Sequence, residues 1–425
     1  MDRLRLIIII VVIGIVLVPA LIYLRVLPGR PAGSPAGANL TFWGIQDDSM
    51  LWQDAIRKFE ENYPHIKVSY TRMNEATYES TLVDALAKGS GPDIFVLKSE
   101  WIIKHNDKTS PFPSTETFSS VEFSERFTDG LTEDLVMPDG SMVGLPLFVD
   151  TPLLFYNKDI LNVAGIALPP ADWEELASLS RQLTKGTLSG EITRSGLAMG
   201  TYRNVDRAFD IITSLILQKG DPIVARGRQY TMALGNQAQR AVEFYTSFAD
   251  RSHQNFSWSA RMQQSLDAFA QEEAVFAFGY AEDIKRVRAK NPHINLGILS
   301  FPQEKDTERP VIYHSYFFPT VSRLTPSPQA AWEFIFFVTL GEGAQLYAEV
   351  SGRTPARRDL LAIPPGDPVQ SIGYRQALIA QGWPVPDDLP ARRLFEDGIE
   401  AIVSRSQTIE QTLALIRSRL DQLLP

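Results

Sequence analysis

Gly144-Leu145-Pro146-Leu147-Phe148-Val149-Asp150-Thr151-Pro152-Leu153-Leu154-Phe155-Tyr156-Asn157-Lys158-Asp159 places one carboxylate, Asp150, in the interior of a long apolar, extended run that ends at the polar Asn157-Lys158-Asp159. A charge placed there has to find donors, because an unpaired carboxylate away from water is costly. Upstream of this stretch the hydrophobic pattern alternates between two periods. Residues 40–43 read as a short strand, and Trp52, Ala55, Ile56 and Phe59 share one helical face. Residues 68–70 read as a second strand. Tyr78, Leu82, Ala85 and Leu86 form a helical stripe that stops at Gly89, ahead of an apolar strand at 94–97. That βαβαβ order predicts a mostly parallel sheet with helices on both faces, and ligands of such sheets bind beyond the carboxyl ends of the strands.

Downstream, helices are expected at 172–183, 207–218, 237–248 and 259–270, the last leading into a strand at 274–278. Asp172 with Glu175 gives the first of these a start like a capping box. A return strand is expected at 295–300, a strand at 315–321 and a helix at 329–340. Helices at 344–350, 374–381, 391–404 and 408–424 complete the chain, the last with Ile409, Leu413, Ile416, Leu420 and Leu423 on one face.

At 425 residues and 44% hydrophobic composition the chain can bury two sizeable cores, so two or three domains are expected. A net charge of -9 with no long basic run argues against a nucleic-acid partner. The absence of cysteine excludes disulfides, thiolate metal sites, a cysteine nucleophile and an acylated cysteine anchor. The five histidines fall in no HExxH or i, i+4 pair, so no metal site is expected. There is no G-x-S-x-G elbow and no Walker-type loop. Adjacent carboxylates such as Asp47-Asp48 or Glu282-Asp283 rarely give the opposed geometry, ~5–9 Å apart, of glycosidases. No catalytic residue and no cofactor is expected, and the chain reads as a binder and not an enzyme.

Several features follow one another in a recognisable order. Leu40-Thr41-Phe42-Trp43 precedes Trp52, Phe59 and Tyr63-Pro64-His65-Ile66-Lys67-Val68, and Gly89-Ser90-Gly91-Pro92-Asp93-Ile94-Phe95 forms a glycine-rich turn. The opening stretch then leads through Tyr156-Asn157-Lys158 to Leu168-Pro169-Pro170-Ala171-Asp172-Trp173. Ala268-Phe269-Ala270, Phe278-Gly279-Tyr280, Gly297-Ile298, Phe301-Pro302 and Gly352-Arg353-Thr354-Pro355-Ala356-Arg357 follow. From about residue 40 to the C-terminus the chain resembles the extracellular solute-binding proteins of ABC importers, specifically the maltose-binding-protein-like sugar binders. The resemblance implies an α/β, two-lobed periplasmic-binding-protein fold with three interlobe crossovers. Lobe 1 would comprise 39–148 with 302–340, and lobe 2 would comprise 149–301 with 341–425. It also implies capture of a small solute, a mono- or oligosaccharide, by hinge closure, and delivery to ABC permease subunits. A polyamine or glycerol-phosphate binder, or a ligand sensor on the same fold, is the alternative, with a glycan-acting enzyme behind them.

Residues 6–24 form an almost uninterrupted apolar run of about 19 residues, long enough at 1.5 Å per residue to cross the hydrocarbon core. The expectation is one N-terminal transmembrane helix within 1–25, a Pro/Gly/Ala-rich linker at 26–38 and an extracytoplasmic body held at the cell membrane. The competing reading is secretion after signal cleavage near Ala38, at Ala36-Gly37-Ala38.

Sugar recognition uses flat apolar surfaces for pyranose CH faces and planar polar side chains for hydroxyls, since a buried hydroxyl left unpaired costs about 1–3 kcal/mol. Trp43 with Asp47 and Asp48 follows the first strand, Trp101 follows the third, and Asp150 lies in the crossover. From the second lobe the candidates are Tyr202 and Arg203 in Met199-Gly200-Thr201-Tyr202-Arg203-Asn204, Trp258 at an expected helix start, and Tyr280, where related proteins commonly place an aromatic platform. Tyr316 and Arg353 complete the expected ligand-binding set, each against an ordinary packing role. His314 is expected to be structural.

Overall fold

The computed structural model describes residues 37–45, 49–116, 118–220, 222–225, 230–363 and 365–424. The expected membrane segment, most of the linker, Asp47 and Asp48 lie outside the described residues. Among the described residues no helix is long and apolar enough to cross a membrane.

Two sheets organise the fold. Their strands in chain order are β1 (Ala38–Gly44), β2 (Ile66–Arg72), β3 (Ile94–Lys98), β4 (Leu153–Asn157), β5 (Lys185–Gly186), β6 (Ile192–Leu197), β7 (Ala274–Gly279), β8 (Leu296–Ser300) and β9 (Phe317–Val321). The first sheet has the order β9-β3-β1-β2. β1 pairs in parallel with β2 and β3, as the βαβαβ pattern predicts, and β9 returns antiparallel on β3 with Phe318 opposite Leu97. Alternation on β1 buries Leu40 and Phe42 while Asn39 and Thr41 face out. Phe42 then meets Trp52 at 4.9 Å between ring centroids, and Phe334 packs edge-on against Phe42 and Phe59.

The second sheet has the order β8-β4-β7-β6-β5, with β4 antiparallel to both neighbours and β6 parallel to β7. Its β7 is buried throughout, as Ala274-Val275-Phe276-Ala277-Phe278 requires of a central strand. Trp173 packs on Phe278 and Phe301. The helix Trp173–Leu183 starts as expected: the Asp172 side chain accepts the Glu175 N–H at 2.8 Å, and Glu175 reaches back to the Ala171 N–H.

Between the lobes the quoted stretch runs through a narrow ribbon. Val149 donates to the Thr354 carbonyl, and Asp150 and Ser315 exchange two backbone hydrogen bonds, each at 3.0 Å. Two expectations need correction. Residues 341–425 do not all join lobe 2, because the helix Glu342–Ser351 packs on Ser49–Asn62, with Tyr347 against Trp52, and Arg358–Leu361 packs on Ser120–Arg126. The helix Pro368–Ala377 then packs on β8, so the third change of lobe falls after Leu361. The helix expected from 259 starts only at Ser265. The Asn204 amide takes the carbonyls of Ser259 and Met262, at 3.0 and 2.9 Å, which withdraws them from a helical ladder.

Candidate functional site

A cleft of ≈ 660 Å³ opens between the lobes at this ribbon. Lobe 1 and the ribbon supply Glu75, Lys98, Asp150, Ser315 and Phe317. These positions follow from topology: Lys98 ends β3, Glu75 opens the helix after β2, and Phe317 begins β9. Lobe 2 supplies three groups of residues. Tyr202, Arg203 and Asp206 come from the loop after β6. Arg207, Phe209 and Asp210 sit at the start of the helix Ala208–Gln218. Tyr280, Glu282 and Asp283 follow the end of β7. Arg286 lies just beyond them, and Arg392 and Glu396 come from the helix Asp388–Val403.

The loop after β6 is fixed from behind. Gly200 turns it at φ +117°, where an added Cβ would lie 2.6 Å from the Ala249 nitrogen. Glu400 accepts the backbone N–H groups of both Tyr202 and Arg203 at 3.1 Å, and Glu396 binds the Arg203 guanidinium at 2.8 Å. Trp258 is fully buried and donates its indole N–H to Asn204, so it supports this loop from beneath.

A charged network crosses the cleft floor from lobe to lobe. Glu100, 1% exposed, accepts from Lys98 and from Arg392, each at 3.0 Å. Lys98 also meets Asp388 at 3.1 Å, Arg392 binds Asp388 at 2.6 Å and approaches Asp210 at 3.5 Å, and the Tyr280 hydroxyl donates to Asp210 at 3.1 Å. Nearby, Lys104 of lobe 1 bridges Glu79 and Asp387. Burial works to raise the Glu100 carboxyl, but the charges of Lys98 and Arg392 outweigh it and hold the group at about 2. Asp150 goes the other way: burial pushes it up to about 6, although Arg353 sits 3.0 Å away and opposes the shift. Burial also raises Asp210, against Arg392 and Arg207.

Of the expected ligand residues, the structure brings Asp150, Tyr202, Arg203 and Tyr280 together on the cleft lining. Arg353 lies behind Asp150, its guanidinium 4.3 Å from the Phe148 ring centroid. Trp43, Trp101, Trp258 and Tyr316 do not line the cleft. Trp43 is half-buried against the lobe 1 core, and Trp101 stacks on Tyr78 with centroids 6.2 Å apart. Tyr316 is buried and donates to Asp134, which also holds the buried His314 at 2.8 Å. Trp258 lies in an irregular loop segment, not at a helix start. Sequence reasoning missed Lys98, Arg207, Asp210 and Arg392. Arg207 sits beside a motif that was read but carries no signal of its own, and Arg392 with Asp388 looks like an ordinary i, i+4 surface pair.

The arrangement offers carboxylates, the Lys98 ammonium and the Ser315 hydroxyl from lobe 1 and the ribbon, and carboxylates, guanidiniums and tyrosine hydroxyls from lobe 2. Among the described residues no cluster of potential metal ligands is present. Among known proteins, the chain is 27% identical over 158 residues to the galactooligosaccharide-binding protein of Bacillus subtilis, and 26% identical over 146 residues to a chain from Brucella abortus named as a binding protein. Those alignments cover 37% and 34% of this chain and only 35% and 34% of the relatives' own length. A cyclo/maltodextrin-binding protein complexed with maltotetraose superposes with a TM-score of 0.75 at 17% identity, over 92% of this chain and 98% of the other. The sugar-binding protein MalE of Xanthomonas citri gives 0.74 at 18% identity, over 91% and 97%. At such identities the likeness is one of fold, and the fold is the two-lobed one. The sequence profile of the bacterial extracellular solute-binding proteins matches residues 54–372, which spans both lobes and the ribbon between them, and the chain belongs to that family.

Proposed function

We propose that this protein captures a carbohydrate outside the cytoplasmic membrane by closing its lobes, and delivers it to an ABC permease. The observation that carries this reading is the interlobe cleft at the crossover ribbon, where Asp150, Tyr202, Arg203 and Tyr280 converge. Closure is selected by whatever binds the closed state better, and about 5.5 kcal/mol of differential affinity moves a 1:99 ratio to 99:1. Charged and aromatic side chains from two lobes supply that difference only when a ligand bridges them. Galactooligosaccharide and maltodextrin binders among the similar proteins favour a saccharide.

The apolar residues 6–24 serve in this reading as an uncleaved anchor, with 26–38 giving the body reach from the bilayer. Ala38 supports retention over cleavage behind it: it is buried, pairs with Ile66 at the start of β1 and donates to the His65 carbonyl at 3.0 Å.

The test is a thermal-shift screen of the full chain, solubilised in a detergent without a sugar headgroup, against mono- and oligosaccharides, polyamines and glycerol phosphates. A ligand at 100 times its Kd stabilises by about 2.7 kcal/mol. A saturable shift with a saccharide supports the reading. A shift with only a polyamine or a phosphate ester ends it.

A further inference from the structure

Resting on the carbohydrate reading above, we propose that Arg207 is a specificity-determining residue: it caps the Tyr280 ring and restricts the cleft to a short, uncharged saccharide of one or two units. Its guanidinium carbon lies 4.6 Å from the Tyr280 ring centroid. The Tyr280 side is a built unit. Asp283 accepts the Tyr280 backbone N–H at 2.8 Å and holds Arg207 through Nε at 3.2 Å and Nη2 at 3.1 Å, while Glu282 takes Nη2 at 2.9 Å. Arg207 itself adopts a left-handed backbone, φ 63°, immediately before the helix Ala208–Gln218. Glu272, Asp306 and Arg405 share that backbone region, so what singles Arg207 out is the carboxylate pair that fixes its guanidinium over the ring.

The second ring on this wall is treated the same way, for Arg392 lies 4.5 Å over Phe209. Two of the four aromatic residues on the lining are therefore covered by guanidiniums of their own lobe, and Tyr280 and Phe209 are 5% and 1% exposed. Tyr202 and Phe317 are the two lining rings that remain partly exposed. A long oligosaccharide needs successive flat apolar surfaces, one for each stacked unit. This wall offers hydrogen-bonding edges instead, which suits a compact ligand dense in hydroxyls.

Charge sets the other half of the specificity. Carboxylates outnumber cations seven to five among the lining residues. Each of those cations is already ion-paired: Lys98 with Glu100, Arg203 with Glu396, Arg207 with Asp283, Arg286 with Asp206 and Arg392 with Asp388. An anionic sugar would have to break one of these pairs beside surplus carboxylates, so uronates and sugar phosphates are disfavoured.

The experiment is titration calorimetry of the full chain in the same detergent with glucose, galactose, mannose, maltose, lactose, maltotetraose and glucuronate, for the wild type, Arg207→Ala and Arg207→Lys. The wild type is expected to bind a mono- or disaccharide at least about tenfold tighter than maltotetraose, and glucuronate weakest of all. Arg207→Ala should free the Tyr280 face and shrink that length preference severalfold, with Arg207→Lys between the two. A wild type that prefers maltotetraose or glucuronate overturns the proposal while leaving the carbohydrate reading intact, and needs no variant. A folded Arg207→Ala that keeps the length ratio within twofold overturns it as well. Binding of no saccharide across the thermal-shift and calorimetric panels sinks the carbohydrate reading, and this proposal with it.

Discussion

Glu100→Gln tests the electrostatics of the cleft floor with almost no change of shape. The carboxylate is 1% exposed, and it accepts from Lys98 and Arg392 at 3.0 Å and from the Ser99 hydroxyl at 2.7 Å. Its pKa is held at about 2 against an ordinary 4.5. At ~1.36 kcal/mol per unit, that depression is linked to about 3 kcal/mol of stability at neutral pH. Both cations reach Oε1 and the Ser99 hydroxyl reaches Oε2. The amide variant can therefore turn its NH2 toward Ser99 and keep its oxygen on the cations, which removes the charge and leaves the shape in place. Asp388 still partners both, so the expected loss is about 2–3 kcal/mol and not the ~3–5 typical of a fully orphaned buried charge. Because the folded-state pKa lies below the unfolded one, the stabilisation is complete above pH ~4.5 and disappears as pH falls through about 2. Urea unfolding of both proteins at pH 7, 5 and 3 should therefore show a gap that holds between 7 and 5 and narrows by 3. It should also change little with salt, since buried pairs are weakly screened. A gap under ~0.5 kcal/mol at pH 7, or one that does not narrow on acidification, would refute the reasoning.

Asp150 has the opposite linkage. Its pKa is raised to about 6, so its ionisation costs the fold stability as pH rises from about 4 through 6, and Asp150→Asn should flatten the wild-type Tm profile in that window by an amount worth about 2 kcal/mol, given its partial exposure. Trp258→Phe should lower stability by ~1–2 kcal/mol through the lost bond to Asn204, yet leave saccharide affinity within about twofold by calorimetry; a large affinity loss would make Trp258 a ligand residue after all. Gly297→Ala would place a Cβ 2.1 Å from the Tyr156 ring, and overpacking of that kind costs roughly 1–3 kcal/mol, measured as a lower urea midpoint; no change would mean that the ring moves freely.

The lobes were legible because their cores obey local periodicity. The β1 alternation and the Trp52-Ala55-Ile56-Phe59 stripe need no distant information, and the Tyr156-Asn157-Lys158 end of β4 marks the entry to lobe 2. Asp150 was legible for a related reason, since a lone carboxylate in an apolar run has few alternatives. The lobe boundary near the C-terminus was not, because the apolar face of Glu342–Ser351 reads the same whichever lobe it covers. The charged part of the site was invisible for a deeper reason: Arg392 and Glu100 are 292 residues apart, and each alone looks like a solvated surface residue. The tryptophans lie off the cleft lining, because strand-end placement suits packing under a loop as well as facing a ligand.

Asp388, Arg392, Glu396 and Glu400 recur every four residues along one helix, so a single stripe reaches lobe 1, Asp210, Arg203 and the loop after β6 in turn. During synthesis or passage through a membrane, both lobes have their strands before this stripe arrives. Closing a contact over 292 residues adds little entropy cost beyond that of a shorter loop, but it sets an order of events. The brace of the cleft thus arrives last. A chain truncated ahead of residue 388 would lose with it Phe395 from beside Phe209 and the buried Leu413, Ile416 and Leu420, so the core of lobe 2 and the binding wall depend on the same closing helices.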